Sequence, residues 1–334
     1  MEPLRFVPYH RLGDTPNVVV DGGPVPSTVL TLSHWPGSPT PVDLREDLSA
    51  QIAFRALERP ALFDGVGVVS NNHFDQDGLA SVFALVEPEL AVARRDRIID
   101  VARAGDFATF HDRDSARIAF ALAAYADPEH SPLDAEVFAG NYDDQCGRLY
   151  EALLPGFAAL VDAPSSSRAL WEAEDAHLTE SLAAIAARTV VVEEIPAVDL
   201  AVVTVPTAWA DRVTSRFTIA RTEAVHPAAV NQSTSCLRLL VVHDERYRLE
   251  LRYESWVMFC SRPVLARPDL RVLAAELDDA EPGSTRWTAD PPGALTPMMT
   301  TDGAVSGLTP HDLRARVVAF LADAPAAWDP YLPR

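Results

Sequence analysis

The feature that most constrains this chain is an alternation in its first half: short β-branched runs that stop at polar turns, each followed by an amphipathic segment. Residues 17–21 (NVVVD) and 28–33 (TVLTLS) read as buried strands separated by the turn-forming GGPVP, and 65–72 (GVGVVSNN) as a third strand. Helices are expected over 43–58, where Leu44, Leu48, Ile52 and Leu57 fall near one face, and over 77–85, 93–104, 114–125 and 134–161. Such alternation packs as a mostly parallel sheet flanked by helices, the α/β class. Ligands collect at the carboxyl edge of such sheets. Asp21 closes one strand and His34 follows the next, so both are expected at that edge.

After a polar break, APSSS at 163–167, a helical run extends to residue 188 and the texture changes. Strands then come at short spacing: TVVVEEI, DLAVVTV, FTIAR, CLRLLVV and YRLELRYESWVMF. A hairpin turn is expected near Glu245, with helical pieces at 269–281 and 310–322. The chain of 334 residues suits two domains. The expected division is residues 1–162 as an α/β metal-binding domain, 163–188 as a helical linker, and 189–334 as a second, smaller α+β domain for substrate.

Forty-eight acidic residues against 28 basic ones, all of them arginine, leave a net charge of −20. A field of that sign repels phosphate backbones and anionic bilayers, which argues against duplex nucleic acid and membranes as partners. A small anion in a locally basic pocket is not excluded. No apolar run reaches ~18 residues, and MEPLRFVPYHRLGD lacks the apolar stretch of a signal peptide. Cys146, Cys236 and Cys260 are scattered and odd in number, so a reduced, cytoplasmic protein is expected. No G-x-G-x-x-G after a strand, no P-loop and no G-x-S-x-G elbow is present, which argues against dinucleotide, P-loop and ordinary α/β-hydrolase chemistry.

The segment that carries chemistry is His73-Phe74-Asp75-Gln76-Asp77-Gly78-Leu79-Ala80-Ser81, directly after an apolar strand and at the opening of a helix. One imidazole and two carboxylates within five residues can converge on hard divalent cations such as Mn²⁺, Mg²⁺ or Zn²⁺. Gly78 admits close backbone approach, and the helix N-terminus favours a phosphate. The plainer reading makes Asp77 a helix cap, Asp75 a turn residue and His73 a partly exposed polar side chain. Asp106, beyond the 93–104 helix, is a candidate late carboxylate. The neighbouring Asp112 and Asp114 read equally well as solvated caps.

The stretch VVSNNHFDQDGLASVFAL resembles the first motif of the DHH phosphoesterase superfamily: a strand, then HxDxDGxxS, then a helix. That superfamily includes exonucleases, cyclic-dinucleotide phosphodiesterases and manganese pyrophosphatases. The resemblance implies an α/β metal domain, a helical linker and a smaller substrate-gripping domain. It also implies one or two Mn²⁺ or Mg²⁺ ions. Asp21 and Ser33-His34 look like degenerate counterparts of the second and third motifs, placed before the first, which makes the domain circularly permuted. Ser33 and Trp35 stand where the tripeptide has Asp and its second His, and no DHH follows residue 81. On this resemblance His73, Asp75, Asp77 and Asp21 are metal ligands, with Asp106 as a further carboxylate. Asp21 and His34 would be catalytic, His34 as a ligand or as a donor to phosphate.

In the second domain Arg238, Arg246, Arg248, Arg252, Arg262, Arg267 and Arg271 crowd into 34 residues. Arginine suits bidentate phosphate contact. His226, Asn231, Arg252, Trp256 and Arg262 are the expected substrate-binding residues. A charged hairpin face paired with Asp244, Glu245, Glu250, Glu254 and Asp269 explains the same arginines. The superfamily's Gly-rich substrate signature is absent. The expected function is a metal-dependent phosphoesterase acting on a small phosphorylated substrate such as a nucleotide or short oligonucleotide. The alternative is a catalytically degenerate nucleotide- or metal-binding protein. A homodimer is left open.

Overall fold

A computed structural model describes residues 2–216, 219–301 and 303–332, and the side chains among them outside 213–222. The chain divides into two compact units, Met1–Ala176 with Val213–Thr222, and His177–Arg212 with Glu223–Arg334.

The first unit holds a four-stranded sheet of β1 (Arg5–Phe6), β2 (Asn17–Val20), β3 (Thr28–Leu32) and β4 (Val68–Ser70), in the order β1-β4-β2-β3. Every pairing is parallel. Val18, Val19, Val20, Leu32 and Val69 are buried, as expected of a sheet covered on both faces. Residues 21–27 return the chain from β2 to its parallel neighbour β3 without a helix, a shorter link than the usual crossover.

The described helices up to Ala186 are α1 (Ser49–Leu57), between β3 and β4, and after β4 α2 (Gln76–Val86), α3 (Pro88–Val92), α4 (Arg95–Asp106), α5 (Arg113–Ala126), α6 (Tyr142–Leu153), α7 (Phe157–Asp162) and α8 (Arg168–Ala186), the last with residues in both units. α2 is buried over nearly all its length, which places it centrally against α1 and α4. Two expected helices differ. Over 43–58 the α-helix begins only at Ser49, because Leu48 is extended and Val42–Leu44 forms a single 3₁₀ turn after Pro41. Over 134–161 the helix is interrupted twice, at Gly140 (φ +84°) and at the 3₁₀ turn Leu154–Gly156, which contains Pro155.

The second unit contains β5 (Val191–Ile195), β6 (Leu200–Val205), α9 (Pro227–Ser233), β9 (Arg238–His243), β10 (Arg246–Leu251), α10 (Leu270–Ala280), β11 (Thr288–Ala289), β12 (Met298–Thr300) and α11 (Pro310–Asp323). The pair β7 (Arg212–Arg216) and β8 (Ile219–Glu223) forms a separate two-stranded sheet, and Phe217 and Thr218 of the expected FTIAR strand lie outside the described residues. The main sheet runs β11-β12-β10-β9-β6-β5 and is mixed: β6 and β9 are parallel, the other pairs antiparallel. β9 and β10 close through Asp244-Glu245, with Asp244 at φ +63°, as a two-residue hairpin requires. Leu240, Leu249 and Leu251 pack with Leu273, Leu277, Leu313 and Val317 in its core. The long expected strand YRLELRYESWVMF stops at Leu251 and turns through Tyr253–Ser255. Among the described residues no helix is long and apolar enough to cross a membrane.

Candidate metal centre

Parallel strands send their carboxyl ends to one edge, so Asp21 after β2, His34 after β3 and the 71–77 turn after β4 leave the sheet together. Asp21 adopts a left-handed backbone (φ +46°), which aspartate tolerates better than most residues. The next residue must be small, since a Cβ on Gly22 would sit 2.1 Å from Asn72 Oδ1. Ser49 Oγ donates to Asp21 Oδ1 (2.7 Å). His34 Nδ1 lies 2.6 Å from the Asp47 carbonyl and donates to it. That contact turns Nε2 toward the acids, 3.4 Å from Asp21 Oδ1, 3.5 Å from Asp106 Oδ2 and 3.8 Å from Asp77 Oδ2. A backbone acceptor on the far nitrogen is how metal-ligating histidines are usually oriented.

Asp77 does not cap its own helix. Asp75 does, its Oδ1 accepting the Gly78 N–H (2.7 Å). Asp77 is buried in the first turn of α2 and accepts the N–H groups of Ser49 and Ala50, each at 2.7 Å. Those are the opening donors of α1, unpaired within that helix, so its N-terminal dipole supports the Asp77 charge. His73 Nε2 stands 2.8 Å from Asp75 Oδ2 and 3.4 Å from Asp21 Oδ2, with the Trp35 ring 5.2 Å from its own.

Two triads result, and they share one residue. Asp21, His34 and Asp77 form the inner one, and Asp21, His73 and Asp75 the outer; within each, one ligand atom per residue lies within 4.8 Å of the others. The inner triad is sealed, whereas the His73 side chain is 17% exposed. Asp106 ends α4, where the helix dipole disfavours an anion, yet it is buried beside His34.

Burial, and then the charge of Asp21, pushes Asp77 up to about 7. Burial would raise Asp21 as well, but hydrogen bonds from His34 and His73 hold it far below the usual carboxylate range. Burial pulls both imidazoles down. The Asp21 hydrogen bond and Asp77 charge outweigh that at His34, and the Asp75 charge and Asp21 hydrogen bond lift His73 well above the ordinary value. Among the described residues no arginine pairs with Asp21, Asp75 or Asp77. Asp21 Oδ2 is buried and faces the His73 imidazole at 3.4 Å, with no shorter contact to it among the described residues. Buried carboxylates held together with only imidazoles and N–H groups to offset their charge fit a divalent cation, and the buried Asp/His groups could bind one.

Other expected residues lie elsewhere. Asp112 caps α5 and pairs with Arg97, and the exposed His111 bonds to Asp100. In the second unit Arg252 is buried, paired with Glu254 and donating to the Thr234 and Cys236 carbonyls. Arg262 donates to the Ser235 carbonyl, so both arginines meet the 234–236 backbone. Trp256 is buried, stacked between Tyr253 and Trp328 and bonded to the Gly293 carbonyl. His226 caps α9, its ring 5.3 Å from that of His177, and Asn231 is buried within α9. Sequence reasoning missed Ser49 and the Asp47 carbonyl at the centre. The one available signal was a serine opening an apolar helix.

A buried carboxylate–imidazole centre at the carboxyl edge of a parallel sheet is the class that fold and site define. Within it, the chain belongs to a family of unknown function, DUF6687, whose profile matches residues 2–332. No curated protein and no solved structure matches the chain.

Proposed function

We propose that the chain is a metal-dependent phosphoesterase, a circularly permuted relative of the DHH superfamily, acting on a small phosphate ester such as a nucleotide or short oligonucleotide. The observation that carries this reading is the sharing of Asp21 between two triads, the arrangement a pair of bridged cations needs. Mn²⁺ or Mg²⁺ bound there would lower the pKa of a bound water and neutralise phosphoryl charge. The chain's own residues supply the rest. Asp77 is held rigid by the N-terminus of α1, His34 is oriented by the Asp47 carbonyl, and Asp75 stands at the N-terminus of α2, where a phosphate oxygen is favoured. Burial of the inner triad strengthens every charge interaction within it.

Calorimetric titration with Mn²⁺, alongside turnover of a chromogenic phosphodiester, tests the reading. Wild type is expected to take two ions. Asp21→Asn should weaken both by more than about 100-fold, beyond what loss of an outer-shell partner does, while Asp75→Asn keeps the inner ion. An Asp21→Asn protein that binds Mn²⁺ as wild type does removes the centre. One observation favours a second reading: Trp35, packed on His73, occupies the place of the tripeptide's second His. A single ion without turnover would make the protein a degenerate binder.

A further inference from the structure

Beside the outer triad stand two polar groups that the fold leaves unsatisfied. Asn71 is buried just beyond β4, and His73 N–H donates to its Oδ1 (2.9 Å). That contact sets which way the amide points and leaves Nδ2 as a donor, yet no acceptor meets it. Tyr150, on α6, is fully buried, with its ring 4.8 Å from Phe6 and edge-on to Phe74 at 5.2 Å. Its hydroxyl has no hydrogen-bond partner. Gly78 lets the two groups converge: a Cβ there would lie 2.4 Å from Asn71 Nδ2, 2.5 Å from the Tyr150 hydroxyl and 3.1 Å from Asp75 Oδ1. Both donors therefore meet over the first turn of α2, an 11-residue helix, and next to the carboxylate that caps it.

Buried donors without acceptors are rare in folded proteins, and two at one point call for an explanation. The opening N–H groups of α2 favour negative charge at the same place. We infer that Asn71 Nδ2 and the Tyr150 hydroxyl form a donor pair that receives a non-bridging oxygen of a phosphoryl ligand at the outer triad. The assignment rests on the metal-dependent reading above. Both donors are uncharged, so they hold an anionic oxygen without competing with cations for Asp75. They touch the ligand and leave the metal ligands alone.

The test is calorimetric binding of inorganic phosphate to the Mn²⁺-loaded protein, with Tyr150→Phe and Asn71→Asp beside wild type. Phenylalanine keeps both ring contacts and removes only the hydroxyl. Aspartate keeps the acceptor for His73 N–H and removes the NH₂. Tyr150→Phe should take up as much Mn²⁺ as wild type, and Asn71→Asp, which adds a carboxylate beside Asp75, at least as much. Phosphate affinity should fall about tenfold in Tyr150→Phe, the usual loss for one hydrogen bond to a charged group, and further in Asn71→Asp. Unchanged phosphate affinity in both variants overturns the inference and leaves the two groups to a bound water. Loss of Mn²⁺ from Tyr150→Phe also overturns it, by making the hydroxyl part of the metal centre. A wild type that takes up no Mn²⁺ sinks the metal-dependent reading itself, and this inference with it.

Discussion

Asp77 stands in the first turn of α2, yet both its oxygens are held by the N–H groups of Ser49 and Ala50. It therefore fixes α1 to α2 and the sheet edge, and its carboxylate is pre-positioned beside His34 and Asp21. The protonation of the cluster follows from its neighbours. His34 and His73 both hold a proton to higher pH than a free imidazole. A cation needs the bare nitrogen, so its entry must expel protons. Apparent Mn²⁺ affinity should consequently rise with pH through the neutral range and level off once both folded imidazoles have lost their protons. Titrations in two buffers of different ionisation enthalpy would count the protons released; an affinity flat between about pH 6 and 8 would contradict the assignment. Asp21, His34, His73, Asp75 and Asp77 were legible in the sequence, because ligand chemistry is written in residue type and strands fix where those residues emerge. Ser49 and Tyr150 were not legible, since each reaches the centre from a helix remote in sequence and carries no local signature.

Elements with clean punctuation were read closely, and those held by distant partners were not. The expected 77–85 and 114–125 helices appear as Gln76–Val86 and Arg113–Ala126, each opened by an aspartate cap. The arginine-rich stretch 238–271 suits either a phosphate grip or a charged hairpin face, but tertiary structure places Arg238, Arg252 and Arg267 in the interior. Arg267 is buried, donating to Ser255 Oγ and to the Pro292, Leu295 and Arg252 carbonyls with its guanidinium over Trp328. No alternation rule announces a cation whose partners are loop carbonyls. In the first unit a comparable tie joins α5 to α8, where Arg113 and Arg117 both donate to Asp175. Burial would raise Asp175, but the Arg117 and Arg113 hydrogen bonds hold it below the ordinary carboxylate range. A depressed carboxylate stabilises the fold above its unfolded pKa, and that stability is lost as pH falls through the folded one. Asp175→Asn should lower stability near neutral pH by about 1 kcal/mol, the group being partly solvated, and flatten the acid limb of a urea-midpoint profile. Parallel wild-type and variant profiles below pH 5, on the order of where carboxylates titrate, would show the tie to be inert.

For the whole molecule the question is how a chain of net charge −20 distinguishes a site from its own surface field. Any divalent cation will gather near so acidic a protein, and that diffuse attraction stabilises the folded state without a binding site. The two kinds of association differ in their response to salt. Diffuse association lies in solvent and fades once the screening length falls to about 3 Å, near 1 M salt. The inner triad is buried, so added NaCl screens it far less. Mn²⁺ at roughly a hundred times its dissociation constant adds about 2.7 kcal/mol per site to a protein that binds only when folded, which is about 4 °C per site in melting temperature for a chain of this size. That shift should survive 1 M NaCl in wild type and disappear on chelation. In Asp21→Asn, which changes the net charge by one unit out of twenty, the residual shift seen at low salt should vanish at high salt. A wild-type shift that is itself abolished by NaCl would assign the cations to the surface field, and the shared aspartate would then be a buried hydrogen-bond acceptor with no ion to bridge.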